Sequence, residues 1–213
     1  MNAIDRIVSV IPRQFWLDNE EATTTAFVEA HNVAKEQVEE PERVGMRAQL
    51  RHAKCEAGFR SAAIKNGLNA IAPHTVPAGG RYSILESGGV YLLRGNIQRH
   101  CGVPRPTAFR KLYSEHNAWL KPVQPSLLWE TPVPSDKALT AFLIVTAYAP
   151  RIGDQTVPAY IGLGIPRDDM RGWLKTLSTP EILAYYHEGK ELVEAPIEVR
   201  DVAIPRLKPE QNT

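Results

Sequence analysis

The sequence predicts an α+β protein with N-terminal helices, antiparallel β-hairpins, a helix-turn-helix-like centre and two C-terminal helices. The strongest helical pattern runs from Glu42 to Asn66 and stops at Asn66-Gly67, a common helix ending. Elsewhere, two pairs of apolar segments rich in β-branched and aromatic residues flank glycine-containing turns, which is the pattern of a hairpin. Helical patterns and antiparallel strand patterns therefore occur in one chain, as in α+β folds.

The N-terminal part of the chain is predicted to be mainly helical. Ile4 to Ile11 is a short apolar segment that suits an edge strand or an anchoring arm. Thr23 to Glu40 follows with apolar side chains at helical spacing, glutamates on the other side and threonines that can cap its start. Pro41 then ends this helix or begins the next, since a helix tolerates proline only in its first turn.

The helix at residues 42–66 has two faces of different character. One arc carries apolar side chains that are expected to face the core: Met46, Leu50, Ala53, Ala57 and Ile64. The arc beside it carries five cations without an interleaved acid: Arg43, Arg47, Arg51, Lys54 and Lys65. Such a row can follow a phosphate backbone, and its first four members are predicted contacts of nucleic acid. The alternative is a solvated face, or a face paired with the glutamates of the preceding helix.

A loop rich in proline and glycine at residues 72–80 marks a predicted domain boundary. It separates an N-terminal helical region, residues 1–72, from an α+β core, residues 73–204. The core is predicted to open with a hairpin across residues 81–93. Residues 205–213 are expected to be a disordered tail, and the alternative is that the whole chain forms a single domain.

The centre of the chain, Leu92 to Leu120, has the layout of a helix-turn-helix. A short helix is predicted from Arg94 to His100, and Gly102 can supply the left-handed residue of the turn. A second helix is predicted from Thr107 to Tyr113, where aromatic and apolar side chains recur at helical spacing. The alternative is a strand, a loop and one amphipathic helix, since the apolar run at 90–93 is typical of a strand.

The string GVPRPTAFRKL at residues 102–112 resembles the turn and recognition helix of bacterial helix-turn-helix regulators. In those proteins a turn of small residues is followed by Pro-Thr, an aromatic residue and arginine. The resemblance covers residues 94–117 and implies a DNA-binding element, in which arginine reads guanine and threonine contacts a phosphate. The residues that it implies to face DNA are Arg105, Thr107, Arg110 and Lys111.

The C-terminal half is predicted to contain a hairpin followed by two helices. Leu139 to Tyr148 and Val157 to Ile165 are the strands of the hairpin, because both are rich in β-branched and aromatic residues. The first helix is expected over Pro166 to Leu177, with proline and acids in its first turn, and the second over Ser178 to His187. From Pro196 onward, apolar and polar residues alternate as in an edge strand.

The formal net charge of +1 conceals an uneven distribution. Residues 1–42 hold three Lys and Arg against nine Asp and Glu, whereas residues 43–121 hold thirteen against three. Residues 122–213 hold nine against twelve. A basic middle between acidic ends is typical of proteins that attract polyanions, unless the acidic N-terminal helix neutralises it within the fold. Nucleic acid, with duplex DNA first, is therefore the predicted partner.

Two other functions stay open. In the first, the acidic ends and the basic middle pair between subunits of a non-enzymatic assembly or adaptor protein, which would be a homo-oligomer. In the second, Glu130, Asp136 and Lys137 surround a metal ion in a nuclease. A binding role is favoured over an enzymatic one.

Several common sites are absent from the sequence. It has no glycine-rich phosphate loop, no G-x-S-x-G and no C-x-x-C pair, so no cofactor is predicted. His52 and Cys55 share a helix face and could hold zinc with His100 and Cys101, although lone His and Cys residues more often serve packing. No apolar run approaches the ~20 residues that cross a bilayer, and no signal peptide is evident. The expectation is a cytoplasmic protein with reduced thiols and no membrane partner.

Overall fold

The computed structural model describes residues 2–75, 80–97, 102–120, 137–150 and 152–186. Within these ranges the chain forms α-helices and a six-stranded mixed sheet, which confirms the predicted α+β class. The helices are α1 (Ala3–Val10), α2 (Arg13–Gln37), α3 (Arg43–Lys65), α4 (Ala108–Ser114) and α5 (Thr179–Ala184). The strands are β1 (Asn69–Ile71), β2 (Ile84–Ser87), β3 (Val90–Ile97), β4 (Leu139–Ala147), β5 (Pro158–Pro166) and β6 (Trp173–Ser178). A 3-10 helix, Glu115–Trp119, follows α4 directly.

The six strands lie in sequence order across one sheet. The predicted hairpins are confirmed as β2–β3 and β4–β5, both antiparallel. β3 and β4 instead run parallel, with Val90 opposite Leu139 and Ile97 opposite Thr146. A parallel pair requires a crossover connection, and α4 lies in it. As a result, β3 and β4 end at the same edge of the sheet.

The helices cover the two faces of the sheet separately. Side chains of α1, α2, α3 and α5 share one buried cluster with Leu92 of β3 and Leu143 of β4. Phe142 of β4 packs on the other face, in the cluster that includes the side chains of α4. Because successive side chains of a strand alternate between faces, Arg94 and Asn96 lie on the same face as Leu92, towards α3.

Asp18 joins α2 to the end of α3. Its carboxylate accepts hydrogen bonds from Lys65 (2.8 Å), Gln14 (3.0 Å) and Asn66 (2.7 Å). These bonds, that from Lys65 above all, lower the pKa of Asp18 from its ordinary value of 3.8 to about 2. A carboxylate with a depressed pKa stabilises the fold at pH values above its unfolded pKa, and the stabilisation is lost as the pH falls through the folded one.

We therefore expect Asp18→Asn to lower the free energy of unfolding at neutral pH, by an amount that shrinks between about pH 4 and pH 2. Urea unfolding of the two proteins over that range measures the difference. Glu29→Gln, which removes an exposed carboxylate from the same helix, is the control. An equal pH dependence in the control would contradict the role of Asp18.

Two expectations for the N-terminal region are wrong. The segment from Ile4 to Ile11 is neither a strand nor an arm, because its residues form α1, which Asn2 caps through a capping box with Asp5. Ile4, Ile7 and Ile11 recur every three or four residues and are all buried, which is helical spacing. α2 begins at Arg13, directly after Pro12, rather than near Thr23.

The extent of the helix predicted at 42–66 is confirmed, but the predicted buried face of α3 is wrong. Met46 and Ile64 are 38% and 70% exposed. The buried line instead follows a neighbouring arc: Arg47, Arg51, Cys55, Glu56, Phe59, Ala62 and Ala63. The row of cations thus lies partly under the fold, because two arginines share an arc with Cys55 and Phe59.

The helix predicted at Arg94 to His100 is wrong over residues 94–97, which continue β3. The parallel ladder to β4 overrides the weak strand propensity of Arg94-Gly95-Asn96. Gly95 is needed there because a Cβ would lie 2.6 Å from Cγ of Pro104. Residues 98–100 lie outside the described residues. The second helix of the predicted motif is confirmed as α4, for which Thr107 is the N-cap.

Of the two predicted C-terminal helices, the first is wrong and the second is confirmed. Residues 166–177 form the end of β5, a tight turn and most of β6. The turn is closed by the bond from the N–H of Arg167 to the carbonyl of Gly172, and Met170 has a left-handed φ of 57°. A spacing of four residues, as between Trp173 and Leu177, fits a strand as well as a helix.

Candidate anion-binding cleft

A cleft of about 570 Å³ opens between α3 and the ends of β3 and β4. The connection from β4 to β5 forms its third side. Its longer polar side chains are Arg47, Arg51, Arg94, Asn96 and Gln155, and none of the described residues that line it is Asp or Glu. We call this space the arginine cleft. Its size and its place at the carboxyl ends of parallel strands are those of many ligand sites.

The guanidinium of Arg51 lies across one end of the cleft. Arg51 extends from α3 over the ring of Phe27, with Cζ 4.5 Å from the centroid. It donates to the backbone carbonyl of Gln155 and, at 3.2 Å, to the Oε1 atom of the same residue. Its Nε is buried and has no hydrogen-bond partner among the described residues. The arginine therefore joins α3 to the β4–β5 connection with donor capacity left over.

Arg47 is the least compensated cation of the cleft. It lies one helical turn before Arg51 and is 7% exposed, while Arg51 is 8% exposed. Arg47 has no hydrogen bond and no ion pair with another described residue. Burial, and then the charge of Arg47, lower the pKa of Arg51 to about 10. Two partly dehydrated like charges repel each other, and a bound anion would relieve that repulsion.

Glu56 neutralises the third arginine at the base of the cleft. Arg94 is 2% exposed and donates to Oε1 of Glu56 at 3.1 Å and to Oδ1 of Asn96 at 2.6 Å. The second carboxylate oxygen of Glu56 accepts from the backbone N–H of Ser83 at 2.8 Å. Nε of Arg94 is buried without a hydrogen-bond partner in the described part of the chain. The carboxylate of Glu56 and the amide oxygen of Asn96 are therefore already occupied by hydrogen bonds within the protein.

The buried charges around the cleft do not balance. Arg110 of α4 is also buried, and it interacts with Glu56 and Arg94. Nδ1 of His52 lies 3.9 Å from Oε1 of Glu56, and burial lowers the pKa of this imidazole, which favours its neutral form. In the described part of this region, four buried arginines therefore face one buried glutamate. Buried charge is expected to be paired, so the excess points to an anionic ligand.

The lining amides leave mainly donors for a ligand. Oδ1 of Asn96 accepts from Arg94, and Oε1 of Gln155 accepts from Arg51. The amide nitrogen of Gln155 donates to the carbonyl of Ala149 at 2.9 Å. The Nδ2 group of Asn96 and the arginines thus remain as donors, which suits a ligand made of acceptor oxygens.

The cations predicted along α3 are divided between the cleft and the outer surface. A guanidinium nitrogen of Arg43 lies 3.6 Å from Oε1 of Glu40. Nζ of Lys54 lies 2.7 Å from Oε2 of Glu29 in α2 and forms an ion pair with it. The pairing of Lys54 matches the alternative in which glutamates of the preceding helix neutralise the row. Among the predicted contacts on α3, Arg47 and Arg51 are the two that the structure brings together around a cavity.

The residues implied by the helix-turn-helix resemblance lie in and before α4. Arg105 and Lys111 are exposed. Thr107 caps the helix by accepting from the N–H of Arg110, and the Arg110 side chain is buried with Cζ 5.0 Å from the centroid of Tyr82. Arg105 and Lys111 are therefore the two exposed side chains of this set.

Sequence reasoning missed Arg94, Asn96 and Gln155. A detectable signal existed for Arg94, since it continues the alternation of Val90 and Leu92 and so falls on a buried face of β3. A charged residue at such a position needs a buried partner, which Glu56 supplies. No pattern in the sequence indicates Gln155, which reaches the cleft only because the β4–β5 connection folds over it.

The structure supports no metal site in the part of the chain that it describes. No group of three or more His, Cys, Asp and Glu side chains there has an arrangement that could hold a metal ion. Cys55 is buried, and burial raises the pKa of its thiol, while His100 and Cys101 lie outside the described residues. The nuclease alternative cannot be placed either, because Glu130 and Asp136 also lie outside them.

Two further findings concern membrane spans and similarity to known proteins. None of the helices in the described ranges combines the length and the apolar composition that crossing a bilayer requires. Comparisons of the sequence and structure with family models, curated proteins and solved structures produced no match, so the arginine cleft has to be interpreted from its own chemistry.

Proposed function

We propose that this protein binds nucleic acid and that the arginine cleft holds phosphate of the bound strand. The observation that carries the proposal is the pair Arg47 and Arg51, two buried guanidinium groups without a carboxylate partner among the described residues. A guanidinium matches phosphate oxygens with two parallel hydrogen bonds. The basic middle of the sequence supplies the wider attraction for a polyanion.

The size of the cleft favours a single strand over the duplex expected from the sequence. A space of about 570 Å³ accommodates a ligand of drug size. An unpaired strand can lead one phosphate between α3 and the sheet, whereas a duplex is too wide and stiff to enter. The exposed Arg105 and Lys111 are available as further phosphate contacts for a longer strand.

The test is binding of an internally labelled random single strand, measured by fluorescence anisotropy at several salt concentrations. We expect Arg47→Gln with Arg51→Gln to weaken binding on the order of 100-fold, because each charge-assisted hydrogen bond contributes about 1.5 kcal/mol or more. The slope of log affinity against log salt should also fall by about 0.7 for each phosphate that the variant no longer neutralises.

The matched control is Lys54→Gln with Lys65→Gln. It removes the same charge from the same helix, but both lysines are paired with carboxylates outside the cleft. Binding by the control should stay within about threefold of the wild type, since neither lysine lines the cleft, and circular dichroism verifies that the control is folded. If both double variants lose affinity equally, net charge rather than the cleft determines binding. If Arg105→Glu with Lys111→Glu alone abolishes binding, the site lies at α4.

A further inference from the structure

We infer that the arginine cleft receives a terminal phosphate, so that its ligand is the phosphorylated end of a single strand or a free nucleotide. This inference rests on the proposed function and narrows it to one chemical group. It depends on three properties of the cleft: its size and walls, its charge and the aromatic side chain at its wall.

The cleft is bordered on three sides by α3, the ends of β3 and β4, and the β4–β5 connection. The bond from Arg51 to Gln155 joins two of these sides. Arg94 is buried between Glu56 and Asn96, to which it donates hydrogen bonds. A space of about 570 Å³ between three walls accommodates the end of a ligand more readily than a continuous strand.

The charge of the cleft suits a terminal phosphate better than a phosphate within a strand. A phosphodiester carries one negative charge, whereas a terminal phosphate carries about −1.5 to −2 at neutral pH. Arg47 and Arg51 lie one turn apart on α3 and so project in the same direction. Arg94 is neutralised by Glu56, and Arg110 does not line the cleft, so these two cations match the charge of one terminal phosphate.

Tyr148 provides an aromatic surface beside the arginines. It is 40% exposed and lines the cleft together with Ile97 and Val145. One side of its side chain packs against Gly153, where a Cβ would lie 2.6 Å from Cγ of the tyrosine. Gly153 has a φ of 76°, so the turn both requires glycine and leaves room for the ring. An aromatic ring that is fixed on one side by packing and exposed on the other is suited to stacking on the base of a terminal nucleotide.

The experiment compares single strands of one sequence with an internal label: a 5′-phosphorylated strand, a 3′-phosphorylated strand, a strand with two hydroxyl ends, and a closed circle. At least one phosphorylated strand should bind about tenfold or more tightly than the hydroxyl-ended strand and the circle. Arg47→Gln should remove this preference, and Lys54→Gln with Lys65→Gln should keep it. Tyr148→Leu should weaken binding of all linear strands about tenfold while the preference persists.

The outcomes separate this inference from the proposed function. If the circle binds as tightly as the phosphorylated strands and still depends on Arg47, nucleic-acid binding stands and the inference is overturned. If no strand binds at low salt, but a nucleoside monophosphate binds and depends on Arg47, the terminal phosphate is right and its source is a free nucleotide. If neither a strand nor a nucleotide binds, both proposals fail. The comparison of wild-type ligands needs no variant, so it holds even if Arg47→Gln does not fold.

Discussion

Glu56→Gln is expected to lower the free energy of unfolding by about 3–5 kcal/mol, because removing one partner of a buried ion pair leaves the other charge uncompensated. Glu56 is 5% exposed and is paired at 3.1 Å with Arg94, which is 2% exposed. Arg110 also interacts with the carboxylate of Glu56. Removing that carboxylate therefore leaves two buried guanidinium groups, those of Arg94 and Arg110, without a counter-charge. Glutamine retains an oxygen for the N–H of Ser83, which limits the effect to the missing charge.

The measurement is urea unfolding of the wild type, Glu56→Gln and a double variant, Glu56→Leu with Arg94→Met. The double variant should be more stable than Glu56→Gln, since apolar side chains often replace a buried ion pair at little cost. Glu29→Gln removes an exposed carboxylate that is paired with Lys54, and it should change stability by at most about 1 kcal/mol. A result for Glu56→Gln within the range of Glu29→Gln would show that Arg94 does not depend on Glu56.

Phe59→Ala is expected to destabilise the protein by about 3–5 kcal/mol, because it opens a cavity where α2 packs on α3. Phe59 is completely buried, and its ring packs edge to face on that of Phe15, with 5.7 Å between the ring centroids. The rings of Phe15 and Trp16 also pack edge to face, with their centroids 5.4 Å apart. The substitution therefore removes a ring from a contiguous aromatic cluster, and the backbones of two helices cannot close the gap.

Ile64→Ala is the control for Phe59→Ala. Ile64 lies on the same helix, and its spacing in the sequence predicts that it faces the core, but it is 70% exposed. We expect its truncation to change stability by at most about 0.5 kcal/mol, as for other surface positions. Chemical unfolding of both variants, with circular dichroism to verify helix content, measures the contrast. A larger effect for Ile64→Ala than for Phe59→Ala would contradict the buried face assigned to α3.

Local sequence patterns correctly predicted those helix ends and hairpins that are specified by neighbouring residues alone. The end of α3 at Lys65, the start of α5 after Ser178 and the two hairpins follow from residues within a few positions of one another. These features depend on backbone geometry and on local hydrogen bonds, so neighbouring residues are sufficient to specify them.

The wrongly predicted elements are those in which the spacing of apolar residues does not distinguish a helix from a strand. The isoleucines of α1 form a run too short for its helical spacing to stand out, and Trp173 and Leu177 of β6 are spaced as in a helix or a strand. The helix-turn-helix layout assigns Arg94 to a helix, whereas its alternation with Val90 and Leu92 fits a strand. In each case long-range packing selected the conformation, and a local pattern does not contain that information.

By itself, the sequence determined the α+β class, the extent of α3 and the concentration of cations between residues 43 and 121. Tertiary structure decided which of those cations act together. It paired Lys54 with Glu29, enclosed Arg94 with Glu56, and left Arg47 and Arg51 side by side without an acid among the described residues that line the cleft. The physical reason is that the free energy of a charge depends on its burial and on its neighbours, which are brought together by contacts between residues far apart in the chain.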